Sequence, residues 1–459
     1  MSTATDERPD AVFTRGPIMR HVAVMSATGA VGLTAIFAVD LLSLLYISWL
    51  GQVNVTAGVG FATTVFFLST SVNIGMMIAV SAVVARALGS GDRARARRLG
   101  GSGVLLMTLA SAVASAALMV WMGPLLTLLG AAGEAHDVAW RFMAIAMPSN
   151  VLMALGLAYS AVLRAVGDAR RAMYVTLAGG IGTAAIDPLL IFGLGLGPDG
   201  AAWAICASRL IFAIVGYSGA VRVHDMVAKP RASNLVADVA PIGAIALPAV
   251  LTNVATPVSF GYITAALSAF GEEAVAANAI ANRLAPVAFC IVFALSGAIG
   301  PIFSQNLGAG LGARVRRTLS DGLLFSFGCV VAAWIVLFVA RDGIVAMFAA
   351  EGETARLVVF FCTVLAGSWI FHGALFVANS AFNNLGFPLL ATGFNWGKAT
   401  LGTVPFVAAG AHLGGAEGAL LGQAVGAVVF GVAGVIVAYR CVDRLSGDPA
   451  AMAHAGGTT

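Results

Sequence analysis

The sequence predicts an all-α polytopic membrane protein with twelve transmembrane helices in two six-helix lobes related by pseudo-two-fold symmetry. Three observations predict it. Of 459 residues, 59% are hydrophobic and only 10% are charged, against about 25% charged in a soluble domain. Twelve apolar stretches follow one another, each long enough to cross a ~30 Å hydrocarbon core as a helix. Parts of the chain also recur 219 residues later.

The predicted helices follow closely, and their short connectors leave little chain for an extramembrane domain. Their spans are 22–48, 58–87, 99–122, 138–163, 173–195, 201–221, 240–269, 275–305, 319–340, 354–383, 388–411 and 416–439. We therefore divide the chain into a cytoplasmic tail (1–20), an amino-terminal lobe (21–221), a cytoplasmic inter-lobe loop (222–238), a carboxy-terminal lobe (239–441) and a second cytoplasmic tail (442–459).

The connectors alternate in charge. Most of the 25 Lys and Arg residues lie in the amino tail and in every second connector, whereas acidic residues occupy the connectors between. Because short cytoplasmic loops are enriched in Lys and Arg, both termini are predicted to be cytoplasmic. The first 20 residues lack an apolar segment followed by a cleavage site, so we interpret them as a polar tail and not as a signal peptide.

The repeat is visible in one connector. LGSGDRARARR at 88–98 and LGAGLGARVRR at 307–317 share seven of eleven residues at an offset of 219. The same offset relates Gly167 to Gly386, and an offset of 218 relates Gly200 to Gly418. An even number of helices per half makes the repeat parallel, about an axis along the membrane normal. This architecture predicts a cavity between two bundles.

Several classes of protein are excluded. The net charge of +4 resides in short connectors and not on one face, so no nucleic-acid partner is expected. The five cysteines are scattered without metal-ligand spacing, so no metal site is expected and we interpret them as apolar fillers. HExxH, GxSxG and Walker motifs are missing from the sequence. We therefore predict no enzyme activity, no catalytic residue and no cofactor.

Asp40 is a charge in a span that is otherwise apolar. It lies in AIFAVDLLSLLYI and is the only formally charged residue between Arg20 and Arg86. Placing a carboxylate in mid-span costs roughly 2.5–3.5 kcal/mol. Capping of a helix start would explain an Asp, but the apolar residues on both sides argue against a helix end here. We interpret Asp40 as a carboxylate in a wet cavity that takes and releases a proton.

Asp187 is the second carboxylate of this kind. It is the only charge between Arg171 and Asp199, and Pro188 follows it directly. An Asp before a Pro is also a good cap for a helix that restarts. The two interpretations are compatible, because a broken helix is tolerated in a membrane where it lines a cavity. We predict a second proton-coupling or ion-binding carboxylate.

Two cations also fall inside apolar spans, Arg209 in ICASRLIFA and Lys398 in NWGKATLG. Each is expected to pair with a carboxylate or to extend toward an interface, and binding of an anionic substrate is the alternative. We predict that Arg209 pairs with Asp187, because the fifth and sixth helices form a hairpin with a connector of about five residues.

Polar and large side chains in the spans are candidates for a substrate cavity. Amide side chains can bind substrate or join helices, and aromatic and methionine side chains can form an adaptable pocket for flat or cationic organic molecules or simply pack. The candidates are Phe37, Tyr46, Asn73, Met76, Asn253, Gln305, Trp369 and Asn379.

Several segments together resemble the multidrug and toxic compound extrusion (MATE) family, in its DNA-damage-inducible-protein-F-like branch. They are the Asp40 helix ending in WLG, ARALGSGDRARARR at 85–98, IDPLLIFGLGLGPDGAAWAICASR at 186–209 and IGPIFSQNLGAG at 299–310. The resemblance implies two lobes that alternate between inward-open and outward-open states and export organic cations in exchange for protons or sodium. It also implies a bacterial inner-membrane location. Asp40 and Asp187 match its coupling carboxylates.

The chain departs from the family at two positions. Thr183 stands where the family commonly has an Asn one turn before the second carboxylate, and Ile205 stands where it often has a Thr. Both changes remove oxygen ligands that sodium would need. Spans 240–269 and 354–383 contain no acid, unlike the branch that uses carboxylates there. Proton coupling is therefore favoured over sodium coupling.

The resulting prediction is a proton-coupled exporter of amphipathic organic cations or drugs, working as a monomer in the lipid bilayer on a small-molecule substrate. One alternative is sodium coupling. Another is a flippase-like exporter of a lipid-linked or anionic metabolite, suggested by Arg209 and Lys398. A membrane scaffold or receptor without turnover would be expected to lack carboxylates in its spans, and two are present.

Overall fold

The computed structural model describes residues 11–48 and 53–447. Residues 1–10 and 448–459 of the predicted tails, and the WLG segment at 49–51, lie outside the described residues. The helices are α1 (Ile18–Ser48), α2 (Val53–Gly89), α3 (Arg93–Val120), α4 (Met122–Leu128), α5 (Gly133–Ala146), α6 (Asn150–Ala165), α7 (Ala169–Pro188), α8 (Gly197–Tyr217), α9 (Ala232–Ser268), α10 (Glu272–Ala288), α11 (Cys290–Gly308), α12 (Gly312–Met347), α13 (Gly352–Thr363), α14 (Trp369–Leu385), α15 (Pro388–Ala399) and α16 (Val404–Gly447).

Five short segments of other helical geometry interrupt or extend these helices. Three are 3₁₀ turns, at Val12–Thr14, Met147–Ser149 and Leu365–Ser368. Two are π turns, at Leu189–Gly193 and Ser218–Val223. Eleven helical segments within the described residues are long and apolar enough to cross a membrane. The last of them, Pro388–Gly447, has 60 residues and leaves helical geometry at Gly414 and Gly415. It therefore provides two crossings, and the predicted twelve are confirmed.

The two halves of the chain have the same local structure. Gly91 and Gly310, related by the offset of 219, both adopt positive φ (82° and 73°) after a helix end, a conformation that glycine adopts without strain. The 3₁₀ turns also recur, and in each a serine hydroxyl donates to the carbonyl three residues earlier, from Ser149 to Ala146 and from Ser368 to Leu365, both at 2.7 Å. The predicted repeat is confirmed at the level of individual turns.

The chain forms two compact units. One comprises residues 31–250, and the other comprises residues 11–30 together with the chain from residue 251. The first unit has two buried apolar clusters, around Val84 and Leu163 and around Phe142 and Met147. The second has a cluster around Phe289 and Leu357. Each unit therefore has its own core.

The two arms of α16 and the residues before it pack backbone against backbone. A Cβ added at Gly418, Gly422 or Gly426 would collide with the carbonyl oxygen of Gly410, Phe406 or Gly402, respectively. These positions repeat every four residues on both sides, which places them on one face of each arm. In lipid, where apolar contact alone gives little association, such close approach maximises van der Waals contact. Glycine is required here for space.

The described part of the predicted amino-terminal tail is docked and not free. Phe13 is only 1% exposed, and its backbone N–H donates to Oε1 of Gln305 at 2.8 Å. Its carbonyl accepts from Arg314 at 2.8 Å and from Asn306 at 3.2 Å. Phe13 stands in the short apolar segment 11–13, which shows no helical or strand periodicity, so the sequence did not indicate that this part of the chain is docked.

The inter-lobe loop is shorter than the predicted 222–238, because α9 begins at Ala232. The first turns of α9 are held against α3 by Asp238. This residue is buried and accepts hydrogen bonds from Ser102 at 2.7 Å and from Arg98 at 3.1 Å. The loop itself is tied to α3 by the N–H of Ala228, which donates to the carbonyl of Arg97 at 3.0 Å.

A cluster of three polar residues joins this loop to the start of α7. Asp168 caps α7, accepting from the backbone N–H of Arg171 at 3.0 Å, and its Oδ2 also contacts Arg171 at 2.6 Å and His224 at 2.8 Å. Burial opposes ionisation of this carboxyl, but the hydrogen bonds from Arg171 and His224 outweigh it, so the pKa of Asp168 is lowered.

Candidate functional site

Asp187 is buried in the first unit where α7 gives way to a π turn. Pro188 lacks an N–H and follows directly, and the chain continues as the turn Leu189–Gly193 without a side-chain cap. The interpretation of Asp187 as a cap of a restarted helix is therefore wrong. The side chain is 1% exposed. Its Oδ2 accepts a hydrogen bond from the hydroxyl of Ser43, and its Oδ1 has no hydrogen-bond partner among the described residues.

Asp40 lies near Asp187 in the same unit. It sits within α1, eight residues before the last residue of that helix, so it caps no helix start. Ser43 follows three residues later, on the same face. Asp40 is exposed, and the two carboxylates are close enough to interact electrostatically. When both are ionised they repel each other, and one bound cation or proton relieves this repulsion.

The neighbouring positions add few ligands to this pair. Thr183 lies one turn before Asp187, and its hydroxyl donates to the carbonyl of Gly179 at 3.2 Å within the same helix. Ile205 packs against the apolar cluster around Phe142. The oxygen-rich part of the site therefore consists of Asp40, Asp187 and Ser43.

Arg209 does not pair with Asp187, so that prediction is wrong. Its guanidinium donates to the carbonyl of Ala146 at 2.9 Å and to the hydroxyl of Ser149 at 3.0 Å, and it lies 5.2 Å from the ring centroid of Phe66. The physical reason is the break between α5 and α6. There the N–H of Asn150 bonds to Met147, which leaves the Ala146 carbonyl to accept from the Ser149 hydroxyl and from Arg209. A charged donor thus satisfies a backbone acceptor exposed by the break.

Asn73 belongs to a buried polar network in the first unit. Its amide donates to Oδ1 of Asn150 at 3.4 Å. Asn150 in turn donates to the hydroxyls of Ser69, Ser111 and Ser115. These residues come from α2, α3 and α6, so the network joins three helices. Of the apolar candidates, Met76 packs in the cluster around Val84.

Two aromatic candidates lie on the Asp40 helix. Phe37 is half-buried one turn before Asp40. Tyr46 packs against the cluster around Phe142 and makes an edge contact with Phe192, with 6.1 Å between ring centroids. Both are therefore on the helix that carries Asp40.

In the second unit, Gln305 and Asn379 are both buried. Gln305 uses its amide oxygen to hold the backbone of Phe13, which places it in the docking site of the amino-terminal segment. The amide oxygen of Asn379 on α14 is buried without a hydrogen-bond partner in the described part of the chain. Asn253 is half-buried on α9.

Trp369 begins α14 and Lys398 lies in the last turn of α15. His372, which the sequence did not single out, lies on α14 between the two candidates. His372 stacks on Trp369 with 5.0 Å between centroids, and Trp369 stacks on Phe289 at 4.5 Å. α14 and α15 are consecutive helices that pack together, with Phe382 of α14 stacked on Phe394 of α15. His372 at the start of α14 and Lys398 at the end of α15 therefore lie toward the same end of this helix pair. His372 follows Trp369 by three residues, about one helical turn, and this spacing in the sequence indicates that the two side chains share a helix face. Ser43, one turn after Asp40, was missed in the same way.

Twelve membrane crossings in two repeated halves, with carboxylates inside the spans, define a multi-pass membrane transporter for small molecules. The MatE family model matches residues 30–189 and again 248–407. The chain belongs to this family of multidrug and toxic compound extrusion transporters, and it is a transporter and not an enzyme. The two matches cover the two halves of the repeat.

Relatives match along nearly the whole chain. An FAD transporter of Shewanella oneidensis is 28% identical over 445 residues, covering 95% of this chain and 97% of the relative. The multidrug export protein MepA of Staphylococcus aureus is 20% identical, with the same coverage. The structure of the Vibrio cholerae MATE transporter VcmN in the bent form matches with a TM-score of 0.87 and 24% identity, covering 93% of this chain and 97% of that one. This likeness confirms the fold.

Proposed function

We propose that this transporter is a proton-coupled antiporter that exports amphipathic organic molecules, cations among them, by alternating access. It works as a monomer in the bacterial inner membrane with both termini in the cytoplasm. The observation that carries the proposal is the pair of interacting carboxylates inside the spans of the first unit, Asp40 and Asp187.

The pair offers a simple means of exchange. Two ionised carboxylates close together repel each other, so a proton or a cationic substrate binds favourably between them. When a proton occupies the carboxylate pair, it neutralises the negative charge that attracts the cationic substrate, and a bound substrate likewise disfavours the proton. Proton binding therefore promotes substrate release, and proton loss restores affinity for the next substrate.

The small number of oxygen ligands around Asp40 and Asp187 favours a proton over sodium as the coupling ion. Sodium needs several oxygen ligands at once, whereas a proton needs one oxygen. The hydroxyl of Thr183 is bonded to its own helix, and Ile205 offers no oxygen. The carboxylates and Ser43 suffice for a proton.

A second candidate, export of an anionic or lipid-linked metabolite, is favoured by Lys398, a cation inside a span of the second unit. A relative at 28% identity is named an FAD transporter. FAD therefore belongs among the first substrates to test.

The test is transport in proteoliposomes with an imposed pH gradient and a cationic dye as substrate. We expect dye movement against its gradient that follows the pH gradient and is unchanged when sodium replaces potassium. Asp40→Asn and Asp187→Asn should each abolish this movement at wild-type protein levels. Asp137→Asn, which changes an exposed acid of the same unit, is the matched control.

Two results would contradict the proposal. One is dye movement driven by a sodium gradient at constant pH, which would indicate sodium coupling. The other is an Asp40→Asn protein that still concentrates dye at the wild-type rate, which would show that Asp40 does not couple transport.

A further inference from the structure

The membrane spans of the second unit carry a basic site in place of the carboxylates of the first. Lys398 lies in the last turn of α15 and His372 in the first turn of α14. The acidic residues of the described part of this unit are Glu272, Glu273, Asp321, Asp342, Glu351, Glu353, Glu417 and Asp443. Asp321 lies inside α12, where it pairs with Arg317 at 2.7 Å. None of these acidic residues forms an ion pair with Lys398 across the described ranges.

His372 is held in place by its neighbours. Its ring stacks on Trp369, which in turn stacks on Phe289. The ring centroids of Trp369 and Phe293 are 5.7 Å apart. Nδ1 of His372 lies 3.5 Å from the carbonyl of Ser368.

Lys398 precedes a break in the helix. After Ala399 the chain leaves α-helical geometry, and the hydroxyl of Thr403 donates to the carbonyl of Lys398 at 2.8 Å. Irregular backbone at membrane depth occurs where it is buried in protein or lines a water-filled cavity. Lys398 and His372 are both half-buried beside this irregular segment.

We propose that Lys398 and His372 form a binding site for the carboxylate or phosphate group of an amphipathic organic substrate, whose apolar part lies along the aromatic side chains around Trp369. A desolvated ammonium without an acidic partner is costly unless an anion meets it. The adjacent Phe293 and Phe376, 5.4 Å apart, supply apolar surface for the rest of the molecule.

This inference rests on the proposed export function and extends it to anionic and zwitterionic substrates. The first unit then binds protons or cationic groups, and the second binds anionic groups. Removal of the basic site should impair anionic substrates alone, whereas removal of the carboxylates should stop coupled transport of every substrate.

The test is equilibrium binding to the purified full-length protein in phosphatidylcholine nanodiscs. Fluorescein and rhodamine 6G share a xanthene ring but carry opposite charge, so they form a matched pair of probes for fluorescence polarisation. We expect Lys398→Met to weaken fluorescein binding about tenfold or more and to leave rhodamine 6G binding unchanged. His372→Phe, which preserves ring stacking, should also weaken fluorescein binding, and Lys398→Arg should restore it.

Lys229→Met is the control, because Lys229 is the only other lysine of the chain and is exposed. It should change neither affinity. Competition by 2-naphthoate and by 2-naphthyl phosphate shows which anion the site prefers, and displacement by at least one is required. Asp40→Asn should bind fluorescein normally while failing to transport, which separates this proposal from the coupling mechanism.

Three results would overturn the proposal. Equal loss of both dyes in Lys398→Met would indicate a structural role for the lysine. Unchanged fluorescein binding in both Lys398→Met and His372→Phe would show that the site does not hold the anion. The third result has two parts: added phosphatidylglycerol abolishes fluorescein binding, and the wild type retains this lipid whereas Lys398→Met does not. Together they would assign the site to a lipid headgroup.

Discussion

The hydroxyl of Ser43 donates a hydrogen bond to Oδ2 of Asp187, joining α1 to the point where α7 gives way to a π turn. Asp40 lies on the same face of α1, one turn before Ser43. The bond therefore fixes the position of Asp187 relative to the helix that carries Asp40.

Ser43→Ala should reduce proton-driven transport by about tenfold or more, because a hydrogen bond to a charged group contributes roughly 1.5–3 kcal/mol. Ser43→Thr keeps the hydroxyl and should retain most activity. The measurement is the initial rate of dye transport in proteoliposomes at equal protein. Wild-type rates in Ser43→Ala would show that the hydrogen bond has no part in coupling.

Arg209→Met should lower the stability of the protein by about 1–3 kcal/mol, because it leaves the carbonyl of Ala146 without its charged donor. Thermal unfolding in detergent measures this loss. Arg209→Met and Asp187→Asn should have additive effects, since the two side chains do not pair. Rescue of the Arg209 variant by Asp187→Asn would instead indicate an ion pair in the working protein.

Asp168→Asn should destabilise the protein near neutral pH and have little effect in acid. Because the pKa of folded Asp168 lies below its ordinary value of 3.8, its ionised form stabilises the fold above that value, and this contribution is lost as the pH falls through the folded pKa. Asn retains the helix cap, so the change isolates the charge. The check is the difference in Tm between wild type and variant at pH 7 and at pH 3. A difference that grows in acid would contradict the assignment.

Phe13→Ala should destabilise the protein by about 3–5 kcal/mol, the usual cost of emptying a buried phenylalanine site. Val12→Ala is the matched control, because Val12 is 44% exposed whereas Phe13 is 1% exposed. Thermal unfolding of both variants measures the difference. Equal Tm values for the two would show that the amino-terminal segment does not stabilise the fold.

Sequence periodicity and hydropathy were sufficient to predict the twelve crossings and the repeat, because membrane spans require long apolar helices and the turns reuse glycine at equivalent positions. The location of Asp40 and Asp187 inside spans was predictable for the same reason. The partner of Arg209 was not, because it is a backbone carbonyl freed by a 3₁₀ turn, and charge arguments consider only side chains. Gln305 was assigned to a cavity because nothing in the sequence shows that residues near Phe13 return to α11.

The close packing of glycines along α16 has a consequence for how the sequence can vary. If every residue of this hairpin were replaced in turn by alanine and the variants were ranked by yield, the damaging positions should form a stripe with a period of four, through Gly418, Gly422 and Gly426. The lipid-facing positions between them should accept almost any apolar residue. The amino-acid sequence of this part of the protein can therefore vary on one side of each arm only. On the other side glycine is required, because even the methyl group of alanine would collide with the facing backbone.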